Sequence, residues 1–147
     1  MIDVQVVFFD IGETLAIAHL TPDDRLARLE TLPGVLQSLG RLKHAGFRLG
    51  IISNTGEETS QTMRRALSGA KLYDFFEPTL LIYSSEVNMK KDSPEIFRLA
   101  SERAGFATQP SHCLFVGDDQ RERNFAADAG LQVATSPVEV AELLVRS

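Results

Sequence analysis

The chain has 147 residues, 44% hydrophobic and 24% charged, with a net charge of −5. That length predicts one domain, 1–147, with enough apolar residues to bury a core. The acidic balance argues against broad binding to nucleic acid or an anionic membrane surface.

The first informative stretch is Val6-Val7-Phe8-Phe9-Asp10-Ile11-Gly12-Glu13-Thr14-Leu15. It opens as a run of β-branched and aromatic residues, the pattern of a strand buried on both faces, and stops on a carboxylate. Ala16 to Leu32 is a polar-apolar mixture in which Thr21-Pro22-Asp23-Asp24 has the order of a helix start, with Thr21 as cap. Pro33 to His44 reads as a helix with Val35, Leu36, Leu39 and Leu42 on one face, closed by Ala45-Gly46. Phe47 to Ile52 is a second apolar strand ending at Ser53-Asn54. Thr55 and Glu58 have capping-box spacing for a helix to about Gly69, with Met63, Ala66 and Leu67 inward.

Tyr73 to Phe76 is an aromatic segment expected in the core, followed by a short strand over Leu80 to Tyr83. Ser93-Pro94 opens a helix with Ile96, Phe97, Ala100 and Ala104 inward. Cys113 to Val116 is a fourth strand, stopping at Gly117-Asp118-Asp119. A helix over about Arg121 to Ala129, a strand over Leu131 to Ala134 and a last helix capped by Ser136 complete the chain, with Val140, Leu143 and Leu144 inward. Strands alternating with helices predict an α/β fold with a mainly parallel sheet between helical layers.

The one cysteine, Cys113, cannot form an internal disulfide, which fits a reducing, cytoplasmic setting, and its apolar surroundings suit an inert thiol. No apolar run reaches membrane-spanning length, and the N-terminus has no basic leader region. His19, His44 and His112 have no metal-ligand spacing.

In a parallel sheet all carboxyl strand ends face one edge, so Asp10, Ser53 and Asp118 meet in one crevice, with Lys91 reaching in from a loop. Close carboxylates repel unless a cation joins them. Oxygen donors of this kind suit Mg²⁺, and a hydroxyl, backbone N–H groups and a lysine suit a phosphoryl group.

The ordered set Phe8-Phe9-Asp10-x-x-x-Thr14, Ile51-Ile52-Ser53-Asn54, Lys91-x-x-Pro94-Glu95-Ile96-Phe97 and Phe115-Val116-Gly117-Asp118 resembles the four motifs of the haloacid dehalogenase (HAD) superfamily. The resemblance implies a Rossmann-like three-layer fold with the first strand central. It implies Asp10 as a nucleophile forming an aspartyl-phosphate, and Ser53, Asn54 and Lys91 as phosphate-binding groups. It further implies Mg²⁺ held by Asp10, the Gly12 carbonyl and Asp118, with Thr14 bracing the first loop.

Three departures stand out. Gly12 occupies the place of a second Asp that serves as acid and base in the family's phosphatases; Glu13, Asp119, Asp23 and Asp24 are the substitutes to test. Glu122 stands where a last Asp is usual. The gap after the first motif, Ala16 to Leu32, is too short for a cap domain, and the one after the second, Gly56 to Met89, is taken up by a helix, loop and strand, which points to an open crevice for a phosphorylated substrate, including a macromolecule, or to a cap supplied by another subunit. The reading is a Mg²⁺-dependent phosphatase or phosphotransferase. A weakened HAD-fold binding or regulatory domain, and a dehalogenase-type or C–P-cleaving enzyme, are the alternatives.

Overall fold

The computed structural model describes residues 3–145. A central parallel sheet contains β1 (Val6–Phe9), β4 (Arg48–Ser53), β5 (Leu81–Tyr83), β6 (Cys113–Val116) and β7 (Gln132–Ala134), in the order β5-β4-β1-β6-β7. The first strand is central, as the motif resemblance implied. Its register places Phe9 opposite Ile51 on one side and Val116 on the other.

Alternation along these strands separates two cores. Val7, Phe9, Leu49, Ile51, Leu114 and Val116 face one side. Val6, Phe8, Ile52, Cys113 and Phe115 face the other. Helices α1 (Val35–His44), α2 (Ser60–Gly69) and α6 (Pro137–Leu144) cover the first face, through Leu39, Leu42, Met63, Leu67, Val140 and Ala141. Helices α4 (Glu95–Arg103) and α5 (Gln120–Asp128) cover the second, through Ile96, Phe97, Ala100 and Ala126. The three-layer α/β fold follows from that two-sided burial. A four-residue helix, α3 (Ser84–Val87), follows β5. Gly50 is required in β4, because a Cβ there would lie 2.7 Å from the Leu80 carbonyl oxygen and 2.8 Å from the Phe8 ring. Among the described residues no helix is long and apolar enough to cross a membrane.

The main correction concerns the segment after the first motif. The expected helix start at Thr21 is the turn of an antiparallel hairpin, β2 (Ala16–Leu20) with β3 (Leu26–Thr31). Asp24 takes φ +60°, which reverses the chain and cannot continue a helix. The turn closes through Thr21 N–H to the Arg25 carbonyl and Arg25 N–H to Thr21 Oγ1, at 2.7 and 3.1 Å. A second correction moves the cap of α2 from Thr55 to Thr59, whose side chain accepts from Thr62 N–H. Thr55 instead bonds to Ser85, across to α3. A third concerns Leu143, which is 50% exposed because α6 packs through Val140 and Ala141. The aromatic segment is core as expected: Phe76 is buried and meets Phe9 edge-on, with ring centroids 6.3 Å apart. The Cys113 thiol is buried, and burial pushes it up to about 11, as an inert thiol requires.

Glu58, freed from the expected capping box, ties the hairpin to the body. Arg25 Nε and Nη2 each donate to its carboxylate at 3.1 Å, and Leu26 N–H donates at 2.8 Å. The Arg25 hydrogen bonds, then the Leu26 amide, hold the Glu58 carboxyl below its usual range. A depressed carboxyl stabilises the folded form above the ordinary glutamate value of about 4.3 and loses that contribution as pH falls through the lowered value. Acidification is therefore expected to release the hairpin before the sheet. In hydrogen exchange, Leu26 should lose protection at a higher pH than Phe8 in β1. Glu58→Gln should loosen Leu26 at neutral pH. Identical acid profiles at Leu26 and Phe8 would contradict the clasp.

Candidate active site

The carboxyl end of β1 delivers Asp10 to the sheet edge. Its N–H donates to the Val116 carbonyl at 2.9 Å, carrying the β1–β6 pairing one residue beyond the strand. The chain then turns tightly: the Ile11 carbonyl accepts from the N–H groups of Thr14, Leu15 and Ala16 at 2.9 to 3.2 Å. Thr14 braces this loop through its N–H, while its buried Oγ1 has no hydrogen-bond partner among the described residues.

Asp10 is buried, and Lys91 Nζ donates to its Oδ1 at 2.5 Å. Lys91 is only 4% exposed, whereas Lys90 is exposed, so the motif alignment identifies the inward lysine correctly. The Lys91 ammonium lies 5.7 Å from the centroid of the Phe115 ring. Its backbone N–H donates to Asn54 Oδ1 at 2.9 Å, which fixes the lysine loop to the end of β4. Ser53, the last residue of β4, is buried beside Asn54.

Glu122 has a larger place than the sequence reading gave it. Its Oε1 lies 2.9 Å from Lys91 Nζ, an ion pair without full hydrogen-bond geometry. One ammonium thus stands between two carboxylates. Burial raises the Asp10 carboxyl above its ordinary value against the pull of Lys91, and Asp118 pushes it further up. Burial raises Glu122 likewise, with Asp10 adding to it. The signal in the sequence was the spacing of Glu122 one turn after Asp118, at the start of α5. The Asp119 side chain is occupied as the N-cap of α5, accepting from Glu122 N–H at 3.1 Å.

Among the described residues no three His, Cys, Asp or Glu side chains form a metal-binding group. The proposed Mg²⁺ donors are two carboxylates and one carbonyl, a set that leaves the remaining octahedral positions to water and substrate. They fit on charge: the Asp10–Lys91–Glu122 cluster carries one uncompensated negative charge when ionised, and the nearby Asp118 adds to it. They also fit on access, because Asp118 and Gly12 are exposed.

Beside this cluster, under the hairpin, lies a cavity of about 220 Å³. Gly12, Asp24, Ser53 and Asn54 line its polar part, and Leu26, Leu29 and Met63 its apolar wall. Of the four carboxylates named as substitutes for the one missing at Gly12, Asp24 alone lines this cavity.

The family model for haloacid dehalogenase-like hydrolases matches residues 13–130. A phosphoglycolate phosphatase of Nitrosospira multiformis is 33% identical over 105 residues, covering 71% of this chain and 43% of that protein. Protein CbbY of Rhodobacter capsulatus is 31% identical over 108 residues, covering 74% and 46%. The chain spans less than half the length of these curated relatives. A solved dehalogenase with an intermediate complex has the same fold, with a TM-score of 0.81 at 16% identity and 99% of each chain covered. The motif order, the sheet topology and the extent of the family match agree, and the chain belongs to the haloacid dehalogenase-like hydrolase family.

Proposed function

We propose that the protein is a Mg²⁺-dependent phosphomonoesterase, acting as a single core domain in a reducing, cytoplasmic compartment. The observation that carries this reading is the buried Asp10 carboxylate at the end of the central strand, held by Lys91 and flanked by Ser53. Relatives named as phosphoglycolate phosphatases support phosphate-ester chemistry. The volume of the cavity under the hairpin favours a small phosphorylated molecule.

In this reading Lys91 engages Oδ1 of Asp10 and leaves Oδ2 to attack phosphorus. The Ser53 hydroxyl and the Asn54 N–H hold phosphoryl oxygens as charge gathers on them. Lys91 keeps the carboxylate ionised against burial and offsets the phosphate charge. Water then cleaves the aspartyl-phosphate and regenerates Asp10. Mg²⁺, held by Asp10, the Gly12 carbonyl and Asp118, would supply neutralising charge at the phosphoryl oxygens.

The test is hydrolysis of an aryl phosphate with and without Mg²⁺. Its leaving group needs little protonation, so a weak proton relay does not mask the nucleophile. Mg²⁺-dependent turnover is expected in the native protein, falling by at least ~10³-fold in Asp10→Asn. Gly12 favours a second reading, a binding or regulatory domain on a weakened enzyme fold. Undetectable turnover of the native protein with Mg²⁺ would select it.

A further inference from the structure

Cleaving an alkyl phosphate leaves an alkoxide that must take a proton as the P–O bond breaks. A donor must therefore sit in the cavity with the phosphoryl-binding residues. Glycine at position 12 cannot supply it, and Asp10, Lys91 and Glu122 are tied to one another. The cavity holds two other carboxylates, Asp24 and Glu58. Glu58 is committed to Arg25 and to Leu26 N–H. The Asp24 carboxylate has no hydrogen bond or ion pair among the described residues, and it lines the same cavity as Gly12, Ser53 and Asn54.

The neighbours of Asp24 hold it in place. Its N–H donates to the Thr21 carbonyl at 3.0 Å. The next residue, Arg25, is forked onto Glu58, and Leu26 follows it there. A loop tip pinned on both sides can present a side chain reproducibly, whereas a free tip cannot.

Building on the phosphomonoesterase reading, we propose that Asp24, at the tip of the hairpin, is the general acid and general base of the reaction. As Asp10 attacks phosphorus, the bond to the leaving oxygen breaks. Its electron pair goes to that oxygen, which takes the proton of the Asp24 carboxyl group. In the second step water attacks phosphorus and gives a proton to the Asp24 carboxylate. The bond between phosphorus and Asp10 breaks, with its electron pair returning to the Asp10 carboxylate. The products are the alcohol and inorganic phosphate, and both aspartates return to their starting states. Proton delivery thus comes from the hairpin, and nucleophilic attack from the end of β1.

The experiment compares native protein with Asp24→Asn on two substrates, a primary alkyl phosphate and a nitrophenyl phosphate, with Mg²⁺ present. Asparagine tolerates the positive φ and the exposed position, so the turn survives. The expected result is a ~10²-fold fall in kcat on the alkyl ester and a far smaller fall on the nitrophenyl ester. A merely structural role would lower both together. Parallel loss on the two esters, or no loss on either, would overturn the assignment of Asp24 while leaving the nucleophile in place. Failure of the native protein to hydrolyse either ester would instead overturn the phosphomonoesterase reading, and the role of Asp24 with it.

Discussion

Lys91→Met is expected to destabilise the protein by about 3–5 kcal/mol at neutral pH, the range for removing one partner of a buried ion pair. The ammonium is 4% exposed and stands between Asp10 Oδ1 at 2.5 Å and Glu122 Oε1 at 2.9 Å. Methionine fills similar space beside Phe115 but leaves the buried Asp10 carboxylate and the half-buried Glu122 carboxylate without their shared cation. Burial already raises both carboxyl groups, and Lys91 opposes that rise. Without it both rise further, so the folded variant binds protons more tightly than its unfolded chain. Its stability then increases as pH falls towards the carboxyl range. Urea unfolding at about pH 7.5 and about pH 5 should show the deficit shrinking on acidification, as the carboxyl groups take up protons. A deficit of equal size at both pH values would mean that lost packing, not exposed charge, is the cause. On the proposed mechanism turnover should fall as well, since a protonated Asp10 cannot attack phosphorus.

The second large effect concerns position 12. Placing Gly12→Asp on the Asp24→Asn background is expected to raise alkyl phosphate turnover by ~10²–10⁴-fold over Asp24→Asn alone, the usual worth of a positioned acid and base. The site has room for the new side chain. A Cβ built at Gly12 meets nothing within 4 Å, and Gly12 is not among the residues with positive φ. The residue lines the same cavity as Ser53 and Asn54, so the added carboxylate reaches the leaving oxygen from the sheet side. If Asp24 is the proton donor proposed above, the gain on the native background should be small. Steady-state rates of the four combinations, native, each single variant and the double, give the coupling directly. A double variant no faster than Asp24→Asn would show that position 12 does not face the reacting oxygens.

The polar strand ends are legible in the sequence because a parallel sheet brings them to one edge. Asp10 and Ser53 needed only that rule and a buried apolar run before each. Lys91 needed the Pro94-Glu95-Ile96-Phe97 alignment to separate it from Lys90, and its burial agrees. Glu122 was named but not understood, because its bond to Lys91 depends on how the first turn of α5 docks against a loop thirty residues earlier. The Arg25–Glu58 clasp was invisible for the same reason: 33 residues separate its ends, and Thr55-x-x-Glu58 offered a plausible local partner. The hairpin was missed because Thr-Pro-Asp-Asp opens a helix or a tight turn equally well, and the residues of Ala16 to Leu20 do not alternate with their burial: apolar Ala18 and Leu20 are exposed while His19 is half-buried. Leu143 faced outward because contact with α1, not the apolar pattern, sets the rotation of α6.

The base of the hairpin has a consequence for how such a protein can diversify. Ala16 pairs with Thr31, and Leu32 N–H returns to the Leu15 carbonyl at 2.9 Å, so the two stems are zipped together where they leave the body. Residues inserted beyond that zipper lengthen a closed loop, and each doubling of its length costs only ~0.6 kcal/mol of closure entropy. The strand that carries Asp10 does not register the change. Descendants of this chain can therefore trade one tip for another and, on the proposed function, alter which alcohols are released, while Asp10 and its strand are inherited intact.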